Sequence, residues 1–215
     1  MSRGRFITFE GGEGAGKSTQ VRRLAQRLAA QEVLGVTSEV VVTREPGGSA
    51  GAEAIRELLV HGATDRWSPT TETLLMYAAR RDHIEQTIAP ALDAGGWVIC
   101  DRYADSTRAY QGAAGGVDPA FIQALEQNVL GEVAPDLTLI LDVPVAVGLG
   151  RAAARGEAVS RFEEKGADFH QRLRAAYLEI ARQEPARCIV IDAVGELDTI
   201  EEAIWRAVSD RLGPF

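Results

Sequence analysis

The sequence predicts a three-layer α/β fold, a five-stranded parallel sheet with helices on both faces. Three observations carry this: five short apolar runs, helical patterns between them, and a glycine-rich stretch where the first run ends. The runs are Phe6-Ile7-Thr8-Phe9, Val40-Val41-Val42, Trp97-Val98-Ile99-Cys100, Leu137-Thr138-Leu139-Ile140-Leu141 and Cys188-Ile189-Val190-Ile191. They are continuous rather than alternating, the pattern of strands buried on both faces. Val21, Leu24, Ala25 and Leu28 recur at helical spacing after the first run, as do Leu197, Ile200, Ile204 and Val208 near the C-terminus. Right-handed crossovers then place the C-terminal ends of the strands, and with them the site, on one edge of the sheet.

A chain of 215 residues without an internal repeat, low-complexity tract or long linker suits a single domain spanning 1–215. Hydrophobic residues at 46% and charged residues at 25% are those of an ordinary globular protein. The 31 acidic residues outnumber the 23 basic ones, which argues against a sequence-independent grip on nucleic acid. Any anion must be met by a local cluster. No apolar stretch is long enough for a signal peptide or membrane span, so the expected location is the cytoplasm, with no membrane partner. Cys100 and Cys188 sit in or beside strand runs and read as buried free thiols. His61, His83 and His170 have no metal-ligand spacing and read as surface or capping groups, with no zinc.

Residues Gly11-Gly12-Glu13-Gly14-Ala15-Gly16-Lys17-Ser18 match Gly-x-x-x-x-Gly-Lys-Ser/Thr, between the first strand and the first helix. Small residues at three of the four variable positions let backbone N–H groups wrap a phosphate at the helix N-terminus. Lys17 would then bridge the outer phosphates, and the Ser18 hydroxyl would ligate magnesium. This gives a P-loop NTPase fold whose cofactors are ATP and Mg²⁺, with Gly11 through Thr19 lining the nucleotide. A GTP switch reads guanine with Asn-Lys-x-Asp, yet the single Asn128 is followed by Val129. A motor needs a polymer partner that the acidic balance disfavours. A small-molecule kinase is the reading that is left.

Arg44-Glu45-Pro46-Gly47-Gly48 follows the second strand and Asp101-Arg102-Tyr103 the third, so both reach the edge that carries the phosphate loop. Two arginines facing a triphosphate call for a second anion between them. That favours a phosphorylated acceptor over the nearest rival, an unphosphorylated nucleoside. Asp101 at a strand end could hold magnesium through water. Thr107, Tyr110 and Gln111 fall within one helical turn and can face one pocket; Met76 and Arg80, four apart, share a helix face. Residues 151–165 are rich in Arg, Glu and Gly, as an exposed mobile lid would be, and follow a helix beginning at Pro144.

These stretches, with Phe9-Glu10 before the loop, Thr19-Gln20 after it, Tyr77-Ala78-Ala79-Arg80, Ser106-Thr107-Arg108-Ala109-Tyr110-Gln111-Gly112 and Pro135-Asp136-Leu137-Thr138, resemble the thymidylate kinase family in its order and spacing. The bacterial branch is the nearest likeness. The resemblance implies a homodimer that takes magnesium-ATP as donor and dTMP as acceptor, giving dTDP. Carried over by position, it implies that Arg44 and Arg102 clamp the acceptor phosphate and Arg80 meets a thymine carbonyl. Ser106, Thr107 and Gln111 would meet the base edge, and Tyr110 would pack where a ribose 2′-hydroxyl would sit. Glu13 and Asp101 would position acceptor and metal. Many members carry phenylalanine where this chain has Met76, whose thioether can pack on thymine. The loop holds no arginine, so Arg155 and Arg161 of the lid are the expected catalytic cations beside Lys17 and Arg102.

Overall fold

The structure is a computed structural model, and it describes residues 3–30, 39–154, 161–162 and 164–213. Strands β1 (Arg5–Glu10), β2 (Val40–Arg44), β3 (Trp97–Asp101), β4 (Leu137–Asp142) and β5 (Cys188–Asp192) form one parallel sheet in the order β2-β3-β1-β4-β5. Each apolar run is therefore a strand, extended by one or two residues whose polar groups reach the C-terminal edge. Phe9 and Arg44 both pair in register with Asp101, and Asp142 with Asp192, so the acidic and basic strand ends are level.

Side-chain alternation divides the core between two faces. On one face, Ile7, Phe9, Ile99, Leu139 and Leu141 pack beneath α1 (Lys17–Ala29) and α9 (Leu197–Leu212) through Val21, Leu24, Leu28, Ile200, Ile204 and Val208. On the other, Phe6, Val98 and Cys100 pack under the π-helical turn Ile84–Ile88, which continues α3 (Pro69–His83), and under α4 (Ala89–Asp93). Ile140 meets Leu173, Tyr177 and Ile180 of α8 (Ala167–Gln183) there. Remaining helices are α2 (Ala50–Val60), α5 (Ala104–Thr107), α6 (Pro119–Val129) and α7 (Val145–Ala154).

Three expectations are corrected. The runs of β2 and β5 are not buried on both faces: these are the edge strands, and Val42 and Val190 are 47% and 42% exposed. Leu197 is exposed at the first turn of α9 instead of joining Ile200 and Ile204 in the core. Pro144 precedes α7, where its carbonyl accepts the N–H groups of Val147 and Gly148, both at 3.0 Å. Cys100 and Cys188 are buried free thiols, as read.

Candidate active site

The phosphate loop fills the turn from β1 into α1. Gly14 has φ +66°, and a Cβ there would meet the Gly148 carbonyl of α7 at 1.9 Å, so glycine is required by both backbone and space. The loop is thereby seated against α7. Lys17 closes the turn with its ammonium donating to the carbonyls of Gly11 (3.1 Å) and Gly12 (2.9 Å). Burial, with the charge of Arg102 added, pushes the Lys17 ammonium down to about 8.

Two clefts open on this edge. The larger, about 530 Å³, runs along residues 13–20 past Arg151 to residues 194–197 and Ile200. The smaller, about 360 Å³, is lined by Arg44, Arg56, Met76, Arg80, Ser106, Thr107, Tyr110, Gln111 and Phe162 among others. Glu13, Ser18, Asp101 and Arg102 line both. A group passing from one cleft to the other meets these four residues. Ser18 Oγ donates to Asp101 Oδ2 at 2.7 Å, which pairs two hard oxygen ligands of the kind Mg²⁺ takes, with space for phosphate oxygens and water beside them.

Arg102 has φ +73°, the only non-glycine residue in the left-handed region among the described residues. That turn sends its guanidinium back under the phosphate loop. It donates to Gly11 O (3.0 Å), Tyr177 Oη (3.1 Å), Ser106 Oγ (3.3 Å) and Glu13 Oε1 (3.1 Å), and lies 4.9 Å from the centre of the Tyr110 ring. Tyr110 Oη also donates to Glu13 Oε1. Burial pushes the Glu13 carboxyl up, but Arg102 and then Lys17 overcome it and hold the group down to about 2. Under Arg102 lies Glu10, fully buried at the end of β1, which accepts from the backbone N–H of Tyr103 (2.7 Å), Ser106 Oγ (2.6 Å) and Tyr177 Oη (3.1 Å). Burial and the charge of Asp105 push its carboxyl up to about 7 against the pull of Ser106 and Arg102.

The rim of the smaller cleft is basic. Arg44 is exposed and leans on Glu53, with Nη2 at 3.2 Å from each oxygen. Arg56 of α2 donates to Pro46 O at 2.7 Å and lines the same cleft. Burial and then the neighbouring charge of Arg44 push the Arg56 guanidinium down, against the pull of Glu53. The cleft floor is built on Arg80, 2% exposed. Its Nε donates to Glu45 Oε2 (2.6 Å), and Nη2 to Tyr103 O (3.0 Å) and Thr107 Oγ1 (3.1 Å), while Nη1 is buried without a partner. Met76 is half-buried and packs against the cluster of Tyr110, Phe162 and Phe169. Thr107 ends α5, and a π-helical turn, Arg108–Ala113, carries Tyr110 and Gln111. The winding is wider than the α-helical turn expected, yet all three side chains line one cleft.

The structure thus brings together Lys17, Glu13, Ser18, Asp101, Arg102, Arg44, Met76, Arg80, Ser106, Thr107, Tyr110 and Gln111. It does not bring Arg161 to the phosphate loop. Arg161 is 1% exposed, held by the carbonyls of Leu59 and Thr64 and by Glu72, so this arginine of the expected lid is not on an exposed surface. Arg155 lies outside the described residues. Arg151, in the last turn of α7, donates to Ala193 O (2.8 Å) and Val194 O (2.9 Å) beside the larger cleft. His83 and His170 are buried rather than at the surface. His83 bridges Thr43 Oγ1 (2.7 Å) and Glu45 Oε1 (3.0 Å), which braces the partner of Arg80.

Sequence reasoning missed Glu10, Arg56 and Tyr177 as parts of this site. Glu10 carried a signal, a carboxylate at the inner end of a buried strand just before the loop. Arg56 and Tyr177 carried none, since each looks like one helical side chain among many.

The chain matches the family model described as thymidylate kinase over residues 9–204. It is 66% identical to a thymidylate kinase of Caulobacter vibrioides, over 99% of this chain and 100% of that one. Identity to a thymidylate kinase of Afipia carboxidovorans is 57%, over 98% and 91% of the two chains. The crystal structure of thymidylate kinase from Ehrlichia chaffeensis is similar at a TM-score of 0.77, with 34% identity, 96% of this chain and 99% of that chain covered.

Proposed function

The chain belongs to the thymidylate kinase family, and from that premise we propose that it transfers the γ-phosphoryl group of ATP to dTMP, giving dTDP and ADP. The observation that carries the reading is the junction of the two clefts at Glu13, Ser18, Asp101 and Arg102, with cationic groups on both sides of it. In the transfer an oxygen of the dTMP phosphate forms a bond to the γ-phosphorus as the bond to the bridging oxygen of ADP breaks. This chemistry needs alignment and charge neutralisation more than covalent help.

The larger cleft is proposed to hold ATP. Gly11, Gly12, Gly14, Ala15 and Gly16 would wrap the phosphates with backbone N–H groups, Thr19 would support the turn, and Lys17 would face the outer phosphates. The Ser18 and Asp101 oxygens would hold magnesium, which would supply positive charge to offset that of the phosphates. The smaller cleft is proposed to hold dTMP. Arg44 and Arg102 would grip its phosphate, joined by Arg56, which lines the same cleft and whose guanidinium is pushed down by burial first and by Arg44 second. The unpartnered Nη1 of Arg80 supports a carbonyl acceptor on the base, because a buried donor left unmatched costs about 1–3 kcal/mol. Ser106, Thr107 and Gln111 would complete the base edge, with Met76 on the ring face and Tyr110 against the sugar.

Glu13 would orient Arg102 and keep it beside the phosphate loop. Lys17 and Arg102 supply positive charge at the junction, with Arg155 proposed to add to it and Arg161 acting from its buried position on the acceptor side. We further propose a single-domain protomer with a lid around 151–165, a homodimer as the resemblance implies, and a cytoplasmic enzyme, which the two free thiols support. No helix among the described residues is long and apolar enough to cross a membrane. A coupled ADP-release assay with dTMP and thymidine as acceptors tests the reading. dTMP should be strongly preferred, because thymidine leaves the arginine cluster without its anion; comparable turnover on thymidine would reject it.

A further inference from the structure

Glu72, near the start of α3, lies beneath the acceptor cleft and is 2% exposed. Both its oxygens are engaged. Oε1 accepts from Arg161 Nη2, and Oε2 accepts from Gln111 Nε2 at 3.2 Å. Arg161 is fixed in turn by the carbonyls of Leu59 and Thr64, and its guanidinium lies 4.7 Å from the centre of the Phe162 ring, which packs edge-on to Tyr110. Gln111 lines the acceptor cleft and Glu72 does not.

This arrangement decides which end of the Gln111 amide meets the cleft. A carboxylate paired with a guanidinium can only accept hydrogen bonds, so Gln111 must turn its NH₂ group toward Glu72. Its carbonyl is then the end left for a ligand. A carbonyl recognises a donor, and a keto pyrimidine offers N3–H where an aminopyrimidine offers a lone pair. We infer that Glu72, clamped by Arg161, is a positioning residue that fixes the Gln111 amide and so sets the preference of the acceptor site for a pyrimidine bearing N3–H. The inference rests on the reading of this cleft as the dTMP site. It also gives Arg161 a role on the acceptor side, away from the moving phosphoryl group.

Glu72→Gln replaces an acceptor-only group with an amide that can donate to the Gln111 carbonyl and free the Gln111 NH₂ to face the cleft. Calorimetric affinities for dTMP and dCMP should then show the dTMP preference reduced about tenfold or more, with ATP affinity unchanged. Gln111→Ala should reduce the preference too, and Glu72→Gln combined with Gln111→Ala should reduce it no further than Gln111→Ala alone. If Glu72→Gln fails to fold, Glu72→Gln with Arg161→Met, which removes both buried charges together, serves in its place. A merely structural Glu72 would lower thermal stability and weaken both nucleotides in proportion; a preference equal to that of the parent would overturn the inference. The parent, measured alongside, separates the two levels. A parent that does not bind dTMP overturns the site reading and this inference together, whereas a parent that prefers dTMP with variants that match it overturns this inference alone.

Discussion

Replacing Arg102 by alanine should damage two properties that trace to the same guanidinium. Arg102 has four hydrogen-bond acceptors in the protein and sits where the two clefts join. With one or two charged hydrogen bonds to acceptor oxygens in the transition state, its loss should cost about 3–5 kcal/mol, or about 10²–10⁴-fold in kcat/KM for dTMP. Stability should change as well, through Glu13. Burial alone would raise the Glu13 carboxyl, but Arg102, followed by Lys17, brings it from 4.5 to about 2. At about 1.4 kcal/mol per pH unit, that descent corresponds to about 3 kcal/mol. Because the folded-state value is depressed, this stability is present above pH 4.5 and is lost as pH falls through about 2. In Arg102→Ala the largest opposing charge is gone, so urea unfolding at neutral pH should show about 2–3 kcal/mol less stability and a shallower decline below pH 4.5. Arg102→Lys should recover part of the stability and little of kcat/KM, since an ammonium lacks the planar fork. A loss in kcat/KM below about threefold, with the acid limb of the parent intact, would refute the role given to Arg102.

Other outcomes follow from the same geometry. Lys17 is depressed to about 8 by burial first and Arg102 second, so kcat/KM for ATP should fall above about pH 8 as the ammonium is lost. Bound phosphates favour the ammonium, so the limb in kcat should lie higher; a kcat/KM that is level to about pH 10 would contradict this. Met76→Ala should weaken dTMP in calorimetry and leave ATP affinity as it is, because Met76 lines only the acceptor cleft of the two. A fall in Tm with dTMP affinity intact would make Met76 an ordinary core residue. Arg155→Ala should lower kcat more than tenfold with little change in KM for ATP, as expected of a cation engaged mainly in the transition state. A kcat within about threefold of the parent at saturating substrates would remove it from the reaction.

Local signals in the sequence were read well and non-local ones were not. The runs of β1, β3 and β4 are strands covered on both faces of the parallel sheet, and the glycine pattern is the phosphate loop because its flanks are a strand and a helix. The exposure of Val42 and Val190 follows from the order β2-β3-β1-β4-β5, which no single run encodes. The π-helical turn at Arg108–Ala113 depends on what Tyr110 and Gln111 pack against, and spacing alone could not reveal it. Arg44 and Arg102 were legible because they stand at strand ends, whereas Arg80, inside α3, was legible only through the family resemblance. Glu72 and Arg161 were not: they are 89 residues apart, and one looks like an ordinary residue of a helix's first turn, the other like a lid arginine. Glu10 is the instructive omission. Its place at the inner end of a buried strand was a local signal, but its partners Tyr103, Ser106 and Tyr177 beneath Arg102 come from distant parts of the chain.

Identification of the products tests the central claim most directly. With the purified chain, magnesium-ATP and dTMP, chromatography with ³¹P NMR should show dTDP and ADP rising together in equal amounts, and dTMP falling by the same quantity. ADP accompanied by inorganic phosphate, with dTMP unconsumed, would contradict it, since the phosphoryl group would then pass to water instead of to the anion that Arg44, Arg56 and Arg102 are arranged to hold.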